Sequence, residues 1–422
     1  MGEIAPLGVI HDLEVIDVPK IETLALGPHN ISVVRVNKPG PVKLDILFPA
    51  GRFFERQKSE AYAANMLLKE GSRQYTSEQV SALMEFYGAS FSPTFSFDLA
   101  GLSLTTLDIH WATLWPIMKD SLLNPLFLPT ELDLFVKMNI EELKMEESQT
   151  EFLAYRQLTQ LLFGSEHPYG YNSSAATYMA LSQDLLADFH QEHYKRVPYQ
   201  AVVCAYDPDL VLRNLEELWT SQPIPLPLHL DSTYDNEITI GQEYTLSLKG
   251  KKQTSIRWGK RIPGKESEDF CEIFILSTIF GGYFGSRLVE RIREREGLSY
   301  QVFSSVETMK NGAYWMLGAE VAKSNVSKTT RILKEELVKL QPEMISPQEL
   351  ITVKNYLMGQ LMNNLDGAIN ISDLLRSLLC EGQDFCYIKK LINVIRGITA
   401  SDLQRVAGKY ALWQNFTQVR VG

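Results

Sequence analysis

The sequence predicts an α+β protein built from two homologous domains, each an antiparallel sheet with helices packed on one face. Three observations carry that prediction. Strands, a helix, a hairpin, long helices and a closing strand follow one another in the first half and again in the second. Asp184-Leu185 … His193-Tyr194, near the end of one half, is echoed by Asp402-Leu403 … Lys409-Tyr410 near the end of the other. Between the halves, Gln222-Pro-Ile-Pro-Leu-Pro-Leu-His229 is proline-spaced and extended, which suits a linker. The expected boundaries are 1–220 for the first domain, 221–241 for the linker and 242–422 for the second.

Composition agrees with two soluble domains. The chain has 422 residues, too many for one ordinary core. Its 45% apolar and 22% charged residues are those of a globular protein. Net charge is −10 with scattered basic residues, which argues against nucleic acid or an anionic membrane as partner. Cys204, Cys271, Cys380 and Cys386 form no CxxC pair and are expected to be buried free thiols in a reducing compartment. The opening MGEIAPLGVIHDLE lacks a basic segment and an apolar signal core, and Pro6 stands where a myristoylation signal needs Ser or Thr. No apolar run approaches the roughly 18 residues of a membrane span. A cytoplasmic location is expected.

Each element has its own justification. In the first half, strands are expected at residues 15–16, 31–36 and 43–48, the last closed by Pro49-Ala-Gly51. An alanine-rich helix over 59–70 ends at Gly71. Thr76 with Gln79 makes a capping box for a short helix that Gly88 stops. Residues 90–97 and 99–107 alternate as the strands of a hairpin do. A helix near 109–123 leads to Asn124-Pro125, and a long helix capped by Thr130 runs to about residue 163. A polar loop then precedes a helix starting after Ser182, and the apolar run 200–206 closes the half. The second half reads as strand 253–258, helix 266–279, strands 299–307 and 312–322, helices 325–340 and 347–379, and strand 416–421.

Residues 281–300, GGYFGSRLVERIREREGLSY, hold the most specific pattern. Ser286 can cap a helix with Leu288, Val289 and Ile292 on one side, and Gly297 can end it. Arg293 then falls in the last helical turn, and Tyr300, seven residues on, lies early in a strand. Guanidinium and phenol are both donors and could converge on one peptide carbonyl. The plainer reading makes Arg293 a surface charge and Tyr300 a half-buried strand aromatic.

Four phrases in this order resemble the M16 (pitrilysin-like, insulinase-like) metallopeptidase family, in its branch of two-domain subunits. They are Met66-Leu-Leu-Lys-Glu-Gly-Ser72, Leu123-Asn-Pro-Leu-Phe127, Glu142-Leu-Lys-Met145 and Ser286-Arg-Leu-Val … Arg293-Glu-Arg-Glu-Gly-Leu-Ser-Tyr300. The likeness runs from about residue 30 to residue 410. Active members carry HxxEH just before the Met-Leu-Leu run. Histidines at i and i+4 share a helix face and hold zinc, the Glu is the general base, and a Glu on a later helix is the third ligand. Here those positions read Ala61, Ala64 and Asn65, and only Glu142 remains. The resemblance therefore implies a chain that holds no zinc itself. His190-Gln-Glu-His193 is the one other metal arrangement to weigh, and it lacks a third ligand. The remaining histidines are isolated.

The resemblance also assigns a role to the opening pair. In this family an Arg and a Tyr of the second domain, seven residues apart, bind the substrate backbone, and Arg293 and Tyr300 match them. The implied protein is a non-catalytic subunit that pairs with a homologue bearing HxxEH and encloses a peptide-binding chamber, with zinc only in the partner. Strand addition at a sheet edge would help to hold the peptide. Three alternatives remain: a scaffold without proteolysis, like the core subunits of respiratory complexes; a stand-alone peptide-binding homodimer; and an autonomous zinc peptidase, against which the missing ligands argue.

Overall fold

Residues 20–195, 197–220 and 240–422 are described by a computed structural model. The strand expected at 15–16 and nearly all of the expected linker lie outside them. The first half holds six strands: β1 (Glu22–Leu26), β2 (His29–Arg35), β3 (Pro41–Phe48), β4 (Ser90–Phe95), β5 (Ala100–Leu107) and β6 (Gln200–Ala205). They form one sheet in the order β1-β2-β6-β3-β5-β4. The second half holds β7 (Glu243–Leu246), β8 (Gln253–Ile262), β9 (Val302–Met309), β10 (Gly312–Ala322) and β11 (Thr417–Val421), in the order β7-β11-β8-β10-β9. The two sheets share one plan. In each, the closing strand slots between the first strands of its half, β6 beside β2 and β11 beside β7, and makes the one parallel pair. The α+β duplication is thus present in strand order.

The helices confirm many of the sequence signals and correct two. The alanine-rich segment is α1 (Glu60–Met66). Thr76 and Gln79 form the expected capping box on α2 (Ser77–Phe86), and α3 (Trp111–Leu123) follows the hairpin of β4 and β5. The single long helix expected over 130–163 is two, α4 (Pro129–Glu146) and α5 (Thr150–Phe163). Thr130 lies inside the first turn instead of capping it, since Pro129 already starts the helix. Short α6 (Ala175–Met179), α7 (Gln183–His193) and α8 (Asp209–Thr220) complete the half. Beyond α9 (Phe270–Ser277) and α10 (Val326–Lys339), the helix expected over 347–379 is also two, α11 (Pro347–Asn364) and α12 (Ala368–Cys380), parted where Gly367 takes φ 86°. The sequence reading assigned no helix where α13 (Cys386–Gly397) and α14 (Ala400–Tyr410) lie.

Both breaks have the same tertiary cause. Each sheet has a second apolar face that its own helices do not cover, and the severed helix crosses over to cover it. Val34, Val202 and Cys204 of the first sheet join a core with Ile371, Leu375 and Leu378 of α12. Leu158 and Leu162 of α5 pack with Tyr314, Met316, Val419 and Val421 of the second sheet. Gly259 of β8 permits this approach, because a Cβ there would lie 2.9 Å from both Leu158 methyls. Ion pairs cross the same seam: Lys43 with Asp373 at 2.5 Å and Arg257 with Glu151 at 3.0 Å. Of the cysteines, Cys204 and Cys271 are buried as expected, Cys380 is partly so, and Cys386 is exposed, because α13 turns it outward. Among the described residues no helix is long and apolar enough to cross a membrane.

Candidate functional site

The first candidate region is the motif helix. The start of α1 is fixed by Glu55, whose carboxylate accepts the N–H of Ser59 and of Ala61, each at 3.2 Å, and the Tyr171 hydroxyl. Ser59 takes φ 76°, where glycine is normally favoured, and its hydroxyl contacts Ser173 and Thr177. Ala61, Ala64 and Asn65 have no exposed surface. Asn65 is fully committed to structure: its amide donates to the Thr94 carbonyl at 2.9 Å, and its oxygen accepts the buried Tyr194 hydroxyl at 2.9 Å. Tyr62, between them, packs on Phe95 and Phe135.

Glu142 is exposed on α4, and its neighbour Glu141 pairs with Lys144 at 2.7 Å. The fold does bring Glu142 toward α1. Burial pushes the Tyr62 phenol up, and the carboxylates of Glu142 and Glu146 push it further. One carboxylate beside two alanines and an amide does not fit a zinc ion, which wants about three protein ligands. His190 and His193 do not supply them. His190 Nε2 meets the Leu122 carbonyl at 2.8 Å and His193 Nδ1 the Pro49 carbonyl at 3.2 Å. Burial pushes His190 down to about 3, so it is neutral near neutral pH. Among the described residues no group of three His, Cys, Asp or Glu side chains is placed to hold a metal.

The second region is the corner around Arg293. After α9 the chain runs through two wide π-type turns, Thr278–Gly282 and Val289–Arg295. Such turns are rare and often found at functional sites. Gly281 is needed for close approach, since a Cβ there would lie 2.6 Å from the Ser304 N of β9. Leu298 N–H donates to Ile292 O at 3.0 Å, and Gly297 at φ 61° ends the turn. Ser286 does not cap it: its hydroxyl is buried with no hydrogen-bond partner among the described residues. Ser286 does stand at the start of the helical segment, its carbonyl accepting the Glu290 N–H at 2.9 Å, but its side chain takes no part.

Arg293 and Tyr300 do meet. The guanidinium carbon stands 4.3 Å from the centre of the Tyr300 ring and 5.1 Å from that of Phe284. Tyr300 is not a half-buried strand aromatic. It precedes β9 in a bend and is 85% exposed, the most exposed large apolar side chain among the described residues. Arg293 Nε approaches Glu294 at 3.3 Å. The terminal guanidinium nitrogens and the Tyr300 hydroxyl have no hydrogen-bond partner among the described residues, so the corner offers open donors. Phe284, in the glycine-flanked turn Gly282–Gly285, was missed in the sequence; an aromatic there was the available signal.

The corner is tied to the other half. Gln301, next to Tyr300, donates to Glu151 in the first turn of α5 at 3.1 Å, and Glu151 also pairs with buried Arg257. Arg257 pairs in turn with Glu320 at 2.7 Å. The expected sheet edge is less regular. Ser96 N–H donates to Leu99 O at 2.8 Å, which turns the backbone groups of Phe91, Pro93 and Phe95 toward the free edge of β4. Pro93 leaves that edge without its middle donor.

The chain thus joins a doubled α+β architecture, a buried helix bearing Ala61, Ala64 and Asn65 in one half and a cation–aromatic corner in the other. Residues 180–357 match the family model described as the Peptidase M16 inactive domain. The chain is 21% identical over 389 residues to a Rickettsia felis protein named an uncharacterized zinc protease, covering 90% of this chain and 93% of that one. It is 23% identical over 296 residues to the non-peptidase homolog YmxG of Helicobacter pylori, covering 69% and 68%. The crystal structure of a peptidase M16 inactive domain from Pseudomonas fluorescens superposes with TM-score 0.87 at 17% identity, covering 96% and 98%. These likenesses are all to the M16 peptidase family, and the positions that resemble its zinc-binding motif read Ala61, Ala64 and Asn65 here.

Proposed function

We propose that this chain is the non-catalytic, substrate-binding subunit of a two-component M16 peptidase. It pairs with a homologue that carries HxxEH, and it presents Arg293 and Tyr300 to the backbone of a peptide in the chamber between them. The zinc belongs to the partner. One observation carries the reading: half-buried Arg293 and exposed Tyr300 lie against each other with open donors, and neither side chain belongs to the core. Donors aimed where carbonyl charge develops assist acyl chemistry performed by another group. The vacant motif positions are consistent with this division, because Asn65 now holds β4 to α7.

The test is a complex reconstituted with an HxxEH-bearing homologue. Arg293→Ala and Tyr300→Phe are expected to leave pairing and melting temperature unchanged and to lower peptide cleavage by about 10²-fold to 10³-fold. Unchanged turnover in both variants would refute the assignment and favour a scaffold role. Cleavage by this chain alone, lost on zinc chelation, would refute the division of labour.

A further inference from the structure

We infer that Phe284 is a specificity-determining residue, and that the peptides held by this chain carry an aromatic or large apolar side chain next to the carbonyl bound at Arg293. This rests on the substrate-binding reading above. Phe284 is 67% exposed, and Tyr300 is 85% exposed. Both large apolar rings lie against one guanidinium, at 5.1 and 4.3 Å, and the Arg293 side chain is half-buried. A ring of this size left in water forgoes much of the 150–250 Å² it can bury, so a ligand that covers it gains binding.

The chemistry of the corner points to a peptide. Ring contacts cover part of the guanidinium and Glu294 stands 3.3 Å from Nε, which leaves the terminal N–H groups for an acceptor. A peptide carbonyl bound there places its flanking side chains on alternate sides of an extended backbone. Tyr300 lies against the guanidinium with a hydroxyl that can also serve the backbone, whereas Phe284 lies against it with no polar group. Phe284 can therefore read only the side chain.

The experiment measures fluorescence anisotropy of two labelled, unstructured peptides on the full chain, identical except for one central Phe or Ser. The wild-type chain is expected to bind the Phe peptide about tenfold more tightly, the upper end of an aromatic pair contact. Phe284→Ala should remove that preference while holding the Ser peptide within about twofold, and Phe284→Tyr should restore it. Arg293→Ala should weaken both peptides equally. If Phe284→Ala keeps the preference while Arg293→Ala weakens both peptides, Phe284 is not the determinant and the substrate-binding reading stands. If neither peptide binds, or Arg293→Ala changes neither affinity, both the reading and the inference fall. Melting temperatures of all variants show that the fold is intact.

Discussion

At the scale of the residue, the same amino acid type has opposite fates in the two halves. Tyr300 is left in water against a guanidinium, while Tyr194 is buried and donates to Asn65. Asn65→Ala would strand the Tyr194 hydroxyl and one bond at the Thr94 carbonyl. Because a buried donor without a partner costs about 1–3 kcal/mol, chemical denaturation should show a loss of that size. Tyr194→Phe should relieve part of the loss in the double variant, since removing both partners avoids the stranded donor. Glu55 gives a pH prediction. Burial pushes its carboxyl from the ordinary 4.5 up to about 7, against the Tyr171 hydroxyl, which lowers it. The folded chain thus keeps a proton that the unfolded chain loses. Its contribution to stability is full below about pH 4.5 and is lost as pH rises through 7. Melting temperatures across that window should fall less steeply for Glu55→Gln than for the wild type; parallel curves would remove Glu55 as the cause.

At the scale of the element, α5 and α12 are amphipathic helices whose partners are in the opposite half. That explains why neither continues the helix before it. Residues 147–149 and Gly367 turn the chain so that the next helix can reach the far sheet. Leu158 has no exposed surface and lies against Gly259. Leu158→Ala, a change in the first half, should lower stability by about 2–5 kcal/mol. Amide exchange should quicken in β8 and β11 of the second half. Faster exchange confined to the first half would contradict the crossed packing.

At the scale of the molecule, the duplication is a pair of sheets that complete each other. The first sheet without α12 would expose Val34 and Val202, and the second without α5 would expose Tyr314, Met316, Val419 and Val421. Lys43, buried beside Asp45 at 3.3 Å, would also lose Asp373. A buried charge stripped of a partner is strongly destabilising. Produced separately, residues 1–220 and 242–422 should each lack cooperative unfolding, and mixing them should recover it. A sharp unfolding transition in either piece alone would show that the halves are independent.

The sequence by itself determined the α+β class, the repeat, most strands and the capping box at Thr76. These are local signals or plain residue identities, so they survive without knowledge of neighbours. The pairing of Arg293 with Tyr300 was also legible as spacing, but not its form. Ser286 as a cap, Tyr300 in a strand and two unbroken long helices were reasonable local readings that the tertiary structure overturned. Ser286 does stand at the head of its helical turn, but its hydroxyl is buried without a partner, which no local pattern foretells. Where an apolar sheet face must be covered, helices break so that α5 and α12 can cross. Phe284 became visible only there, because an exposed aromatic gains meaning from what it touches, and that contact joins segments which no local pattern relates.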